Sequence, residues 1–305
     1  MRGRNHEPGV GVIGGMRIAG VVLASTLLGS LAGCGVVPTP EPSEPRQVEI
    51  ARPTGAGELV LRVETRGGLL PPLERERQLP SISIYGDGQV LVPAPVDASF
   101  PGPAGYGLES FTIEAGLLDD IVAAAVSIGL RGEDRHLAEE GPDFVADAGA
   151  TTVTLVAGGG RHVTSADALF DVGDADTPAR TQLRDFVDRL FALRPTEGGL
   201  VPYEPDAYRV FVADPDPGFG AELPDAPPVA WPFPEPLGAW GEALPDDGLS
   251  VDVRCRILAV AELADALEVL LAATSVTVVV DQADQEAIIA YRPLLPDEEG
   301  CATEG

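Results

Sequence analysis

Leu59, Leu61 and Val63 alternate with other positions in Glu58-Leu59-Val60-Leu61-Arg62-Val63, the period-two pattern of a strand with one buried face. Ser81–Tyr85 and Gln89–Val92 flank Gly86-Asp87-Gly88, and Asp-Gly between apolar runs predicts a hairpin. After Phe111-Thr112-Ile113 the period changes. Leu117, Leu118, Ile121, Val122, Ala125 and Val126 recur at helical spacing, predicting a helix from about Ala115 to Gly129, where glycine can end it. Thr151–Val156 and His162–Thr164 predict a second hairpin around Gly158-Gly159-Gly160. Thr177-Pro178 supplies an N-cap and a first-turn proline to a helix with Leu183, Phe186, Val187, Leu190 and Phe191 on one stripe. Arg180, Arg184, Asp185, Asp188 and Arg194 fall largely off that stripe and are expected in solvent.

Residues 196–249 hold many prolines and both tryptophans and read as irregular, apart from a short strand at Tyr208–Val212. Order returns with a strand over 251–258, a helix near Glu262–Ala273, a strand over Ser275–Val280, a polar turn at Asp281–Gln285 and a strand over Glu286–Arg292. Strand, helix and hairpin thus occur twice, with Ile113 answering to Leu258, Leu118 to Leu263 and Val122 to Leu267. The expected class is α+β: antiparallel sheets with packed helices, in two strand–helix–hairpin halves. The expected divisions are an α+β domain over 58–195, a Pro-rich irregular segment over 196–249, and a C-terminal α+β unit over 250–305 that packs on the first.

The N-terminal part reads differently. Pro38, Pro40, Pro42, Pro45 and Pro53 stand in a stretch poor in apolar residues, predicting a disordered tether over 34–57. Before it, Met16-Arg17 lead into an uncharged apolar run, Ile18–Ser30, and then small residues precede a cysteine. That is the order of a secretory signal, and it is shorter than the about 20 apolar residues of a membrane-spanning helix. Leu31-Ala32-Gly33-Cys34 resembles the lipobox of bacterial lipoprotein precursors. The resemblance implies a signal peptide over 1–33, cleavage after Gly33, a thioether-linked diacylglycerol on Cys34, and an N-terminus held at the extracytoplasmic face of the cell membrane. Two acyl chains anchor stably where one does so only marginally. Met1 and Met16 both remain open as the start, since Met16-Arg17 alone gives a sufficient positive region.

Three further stretches resemble an uncharacterised group of secreted or lipid-anchored proteins from high-GC bacteria. They are the Leu61-Arg62-Val63 … Gly67-Gly68 … Ile84-Tyr85-Gly86-Asp87-Gly88-Gln89-Val90 opening, the Val253-Arg254-Cys255 strand, and the Arg292-Pro293-Leu294-Leu295-Pro296-Asp297-Glu298 … Cys301 close. This resemblance implies a location and brings no catalytic residue or ligand.

Charge removes whole classes of partner. Twenty basic residues, all arginine, stand against 48 acidic ones, for a net charge of −28. Nucleic acid is excluded for want of a basic footprint, and attraction to an anionic leaflet is excluded likewise. With Cys34 assigned to lipid, Cys255 and Cys301 remain as an even pair in an oxidising compartment. Alternation in Val251–Ile257 puts Cys255 on the buried face of its strand, and a bridge to the acidic tail would contribute about 4 kcal/mol in the loop-entropy model. A free buried Cys255 with a reactive Cys301 is the alternative.

Candidate chemistry is sparse. His136 lies near Glu139 and Glu140 without the HExxH spacing of a zinc helix, and reads as part of a solvated loop. His162 falls on the second hairpin. Ser165 and Asp167 are close in sequence, but no Gly-x-Ser-x-Gly elbow is present. Without lysine the triple glycine cannot belong to a P-loop, and Asp171–Asp176 lacks the EF-hand glycine and glutamate, so Asp174 and Asp176 read as helix N-terminal charges. No catalytic residue, metal ligand or cofactor is assigned. Trp231 and Phe233, with Trp240, are the one unusual cluster: aromatics among prolines line grooves or pin a strap to a core. The function expected is a lipid-anchored, non-enzymatic binding or accessory module of the cell envelope, meeting an unknown envelope protein or glycan through Trp231 and Phe233. The alternative is an envelope hydrolase, which requires His136 or His162 to share a pocket with a nucleophile or metal.

Overall fold

Strand alternation and two amphipathic helices build the first sheet. The computed structural model describes residues 50–68, 70–96, 100–138, 147–170, 176–196, 198–215, 227–245, 252–263 and 266–301. In chain order these give β1 (Leu59–Gly67), α1 (Pro72–Glu76), β2 (Ile82–Tyr85), β3 (Gln89–Pro93), β4 (Leu108–Thr112), α2 (Ala115–Ser127), β5 (Arg135–Leu137), β6 (Gly149–Ala157), β7 (Gly160–Asp167), α3 (Pro178–Phe191) and β8 (Val201–Pro202). The strands order as β5-β7-β6-β1-β2-β3-β4-β8, with β5 parallel to β7 and the other neighbours antiparallel. Gly158 and Gly159 turn the β6–β7 hairpin at φ +63° and +82°, where a side chain would be strained. Val63, Val153 and Leu155 share a core with Leu118 and Val122 of α2 and Phe186 and Val187 of α3.

Arg180 corrects the expectation of a solvated helix face. Its side chain is fully buried and donates to the carbonyls of Leu137 (2.8 Å) and Asp167 (2.7 Å), while Asp176 pairs with both Arg180 and Arg184. Helical periodicity sorts residues by hydrophobicity. It does not register that carbonyls left open at strand ends can satisfy a guanidinium in the first turn of a helix.

The second sheet takes its centre from the strand expected at Tyr208–Val212 within the Pro-rich segment. β9 (Ala207–Ala213), β10 (Val229–Ala230), β11 (Glu242–Ala243), β12 (Val253–Ala259), α4 (Leu267–Ala272), β13 (Val278–Val280) and β14 (Glu286–Pro293) complete the order. The sheet runs β10-β13-β14-β9-β12-β11, antiparallel except for β10 against β13. The sheet spans 207–293 and so crosses the division drawn at 250, while β8 of the first sheet lies beyond the division drawn at 196. The class is α+β. The two halves share element order but not topology: β6, the first strand of its hairpin, pairs with β1, whereas β14, the second of its hairpin, pairs with β9.

Residues 50–57 correct the tether boundary. Ile50 packs on the first core, the Ala51 carbonyl accepts from Gly158 N (2.7 Å), and Arg52 reaches the Gly86 carbonyl (3.1 Å) and Asp119 (2.7 Å). A Cβ on Gly86 would lie 2.7 Å from the Thr54 backbone, so glycine lets this arm cross the β2–β3 turn. Low apolar content hid an arm held mainly by hydrogen bonds. The signal segment, Cys34 and the rest of the tether lie outside the described residues, as do Glu139, Glu140 and Asp171–Ala175.

Leu294–Cys301 joins the two sheets. Arg209 and Arg292 are cross-strand partners on β9 and β14, 1 % and 0 % exposed, where like charges repel. Glu298 answers both. Its carboxylate accepts from Arg292 (2.8 and 2.9 Å), Arg209 (3.2 Å) and Leu295 N (3.0 Å). Next to it Asp297 accepts from Arg62 on β1 (2.7 Å) and the Tyr85 hydroxyl on β2 (2.9 Å). A disulfide between Cys301 and Cys255 of β12 closes the clasp across 46 residues of sequence, Cα to Cα 5.8 Å. Burial alone would raise the Glu298 carboxyl, but the Arg292 hydrogen bonds and the charges of Arg292 and Arg209 outweigh it and hold the pKa at about 2.

Glu298→Ala should destabilise the protein by about 3–5 kcal/mol, because it leaves two buried guanidinium groups unpaired. Since the folded-state pKa lies below the unfolded value of 4.5, the clasp's contribution is complete above that pH and is lost as pH falls toward about 2. Urea unfolding across that window should show a steeper loss in the wild type than in Glu298→Gln.

Candidate functional site

Residues 227–245 of the Pro-rich segment form a strap along the second sheet. β10 pairs Val229 with Val279 and Ala230 with Val280, and Trp231 N donates to the Val280 carbonyl (2.8 Å). The Trp231 indole N–H donates to the Glu235 carbonyl (2.7 Å), closing the Trp-Pro-Phe-Pro-Glu turn on itself. A short 3-10 turn, Leu237–Ala239, then delivers Trp240, which is fully buried. Ring centroids of Trp231, Phe233 and Trp240 lie 4.4–5.0 Å apart. Arg254 and Arg256 on β12 fix the arrangement: Arg254 donates to the Trp240 carbonyl (2.7 Å), and Arg256 stacks 4.9 Å from the Trp240 ring centre.

Beside this cluster is a cavity of about 520 Å³ whose walls are Trp231, Phe233, Pro234, Pro236 and the turn after β13. That volume falls within the range of small-molecule sites. Two carboxylates line it, Glu235 and Asp281. Asp281 is 7 % exposed and accepts from three backbone amides, Ala283 (2.8 Å), Gln285 (3.0 Å) and Leu237 (3.0 Å). Burial works against its charge, but those amides outweigh it and keep the carboxyl below its ordinary range. Among the described residues no cationic side chain pairs with it. Glu235 is held below its ordinary range by its own backbone amide and by Arg256, 3.3 Å away.

The two residues singled out from sequence differ in role. Trp231 is 9 % exposed and belongs to the second core, so most of its surface acts as a structural pin. Phe233 is only partly buried, and both rings contribute to the cavity wall. In sequence Asp281 stands out only as part of a polar turn. Its signal was the Asp-Gln-Ala-Asp-Gln spacing, in which an aspartate can accept from the amide two residues on and tie a turn together.

His136 lies on β5 and not in a loop. Parallel pairing sets it opposite Ser165, with Nδ1 3.0 Å from the Ser165 hydroxyl and Nε2 3.0 Å from Asp167. In the tautomer protonated at Nε2, the serine donates to Nδ1 and Nε2–H donates to the carboxylate. That relay is the order nucleophile, base, orienting acid. It stands on an open strand face, with the His136 and Asp167 side chains 49 % and 50 % exposed, where solvent screens the carboxylate. His162 contacts two carbonyls, Gly132 (2.7 Å) and Ala157 (3.3 Å), and pins the hairpin to the loop before β5. Among the described residues no three His, Cys, Asp or Glu side chains gather as a metal site.

Compared with protein-family models, curated proteins and solved structures, the chain matches none.

Trp231→Ala should cost about 3–5 kcal/mol, as for a buried aromatic. Phe233→Ala should cost less, about 1–2 kcal/mol. Denaturant unfolding followed by circular dichroism checks the ranking, and an equal cost would mean that both rings are core.

Proposed function

We propose that this protein is a lipid-anchored, extracytoplasmic component of the cell envelope that works as a binding or accessory module, with the Phe233 cavity as its recognition site. The observation that carries this reading is the division of the three cysteines. Cys255 and Cys301 form a buried disulfide, as suits an oxidising compartment, and that leaves Cys34 at the end of Leu31-Ala32-Gly33-Cys34 for lipid. A binding role is supported by the cavity, which combines aromatic walls with two fixed carboxylates. The membrane is met through the anchor, and the partner is an envelope protein or glycan. Cys34→Ala should shift the protein from the membrane fraction to an unprocessed precursor or a released form. Mass spectrometry of the native N-terminal peptide should find diacylglyceryl on Cys34, and an unmodified thiol there would overturn the anchor.

The His136–Ser165–Asp167 relay favours a second reading, an envelope hydrolase that acts through Ser165. A fluorophosphonate probe decides it. Under this reading Ser165 is labelled in the folded protein and His136→Ala abolishes labelling; without labelling the relay is a surface hydrogen-bond ladder.

A further inference from the structure

Both tryptophans of the chain lie in one aromatic cluster, and one of them walls a cavity whose charged lining groups are both carboxylates. Aromatic faces attract cations through their quadrupole, most strongly where water is excluded. Asp281 adds a charge that is more than nine-tenths buried, held by amide dipoles and without a counter-cation among the described residues. Among the described residues arginine approaches from one side, where Arg256 meets Glu235 and covers Trp240. An anionic ligand would face both carboxylates, and a neutral one would leave the buried Asp281 charge unanswered. The chain's surplus of 28 negative charges draws cations toward the surface and repels anions.

We propose that the Phe233 cavity binds an organic ammonium group of about choline size, its methylene or methyl surface against Trp231 and Phe233 and its charge toward Asp281 and Glu235. This rests on the cavity being the recognition site and adds the chemical class of what it takes. On a partner molecule the group would be a quaternary or primary ammonium displayed at the end of a flexible stem, short enough to enter a site walled by proline.

Tryptophan fluorescence, excited selectively over tyrosine, reports on this cluster alone, since Trp231 and Trp240 are the only tryptophans. The full-length protein is titrated with choline chloride at constant ionic strength, made up with sodium chloride, and separately with 3,3-dimethylbutan-1-ol, the uncharged isostere. Choline should give a saturating change and the alcohol none. Phe233→Ala should weaken choline binding about tenfold, the factor expected for one lost cation–π contact. Asp281→Asn should weaken it further, but Asp281 also holds the strap through Leu237 N, so a thermal melt accompanies it. Glu235→Gln, on a half-exposed side chain, removes one charge while keeping the backbone carbonyl that accepts from the Trp231 indole, and should weaken binding about two- to threefold. Equal saturation by choline and the alcohol would overturn the ammonium class and leave the cavity as an apolar binding site. No saturation by either at tens of millimolar would overturn both the class and the cavity as recognition site.

Discussion

The clasp between the two sheets hangs on two arginines that face each other across adjacent strands. Arg209 and Arg292 are buried at a cross-strand position where their charges repel, and desolvation adds several kcal/mol against each. Burial and the neighbouring Arg292 charge bring the Arg209 pKa down to about 10. The arrangement persists because Glu298 spans both, with Gly300 O taking the Arg209 Nε–H (2.9 Å). The segment that supplies Glu298 also supplies Asp297 to Arg62 of the first sheet, and ends in the disulfide to β12. These eight residues couple two sheets that share no strand, as does the segment before β4, whose Pro103 and Gly105 bridge to Thr274 and Tyr291.

That coupling has a consequence on the far side of the second sheet. Along β9, Arg209, Phe211 and Ala213 point to the clasp, and Val210 and Val212 point to the aromatic core. Along β12, Cys255 faces the clasp while Arg254 and Arg256 hold Trp240. A strand has only two faces, so fixing one fixes the other. The clasp and the aromatic core therefore occupy opposite faces of the same two strands. Asp281 completes the link by capping the 3-10 turn of the strap through Leu237 N.

Periodicity made the long elements legible: both hairpins of the first sheet, α2, α3 and β14 fall close to where alternation and helical spacing put them. What periodicity missed has a common cause. β10 and β11 are two residues long, too short to show a period, and exist because a neighbouring strand offers open backbone. The arm at 50–57 and the buried Arg180 depend on hydrogen bonds to carbonyls that sequence does not place. The clasp is encoded by residues up to 235 positions apart, Arg62 with Asp297, and no local window contains them. The candidate site was half legible for the same reason: Trp231 and Phe233 stood out by composition, whereas Asp281 reaches the strap only after β10 and β13 pair.

Three polar assemblies on this fold differ in how completely their charges are answered, and that difference says where binding belongs. In the clasp each carboxylate is paired with guanidinium, Asp297 with Arg62 and Glu298 with Arg209 and Arg292, which leaves little for a ligand to gain. On the open face of β5 and β7, His136 and Asp167 are half in water, where any electrostatic contact is screened. The Phe233 cavity lies between these extremes. Asp281 is removed from water as the clasp residues are, yet only backbone dipoles stabilise its charge. A cation entering there gains low-dielectric attraction without displacing a resident partner, and the aromatic walls take up its apolar surface. Incomplete neutralisation inside a partly closed, aromatic space is the condition under which a protein with so large an acidic surplus can select one small cation among many.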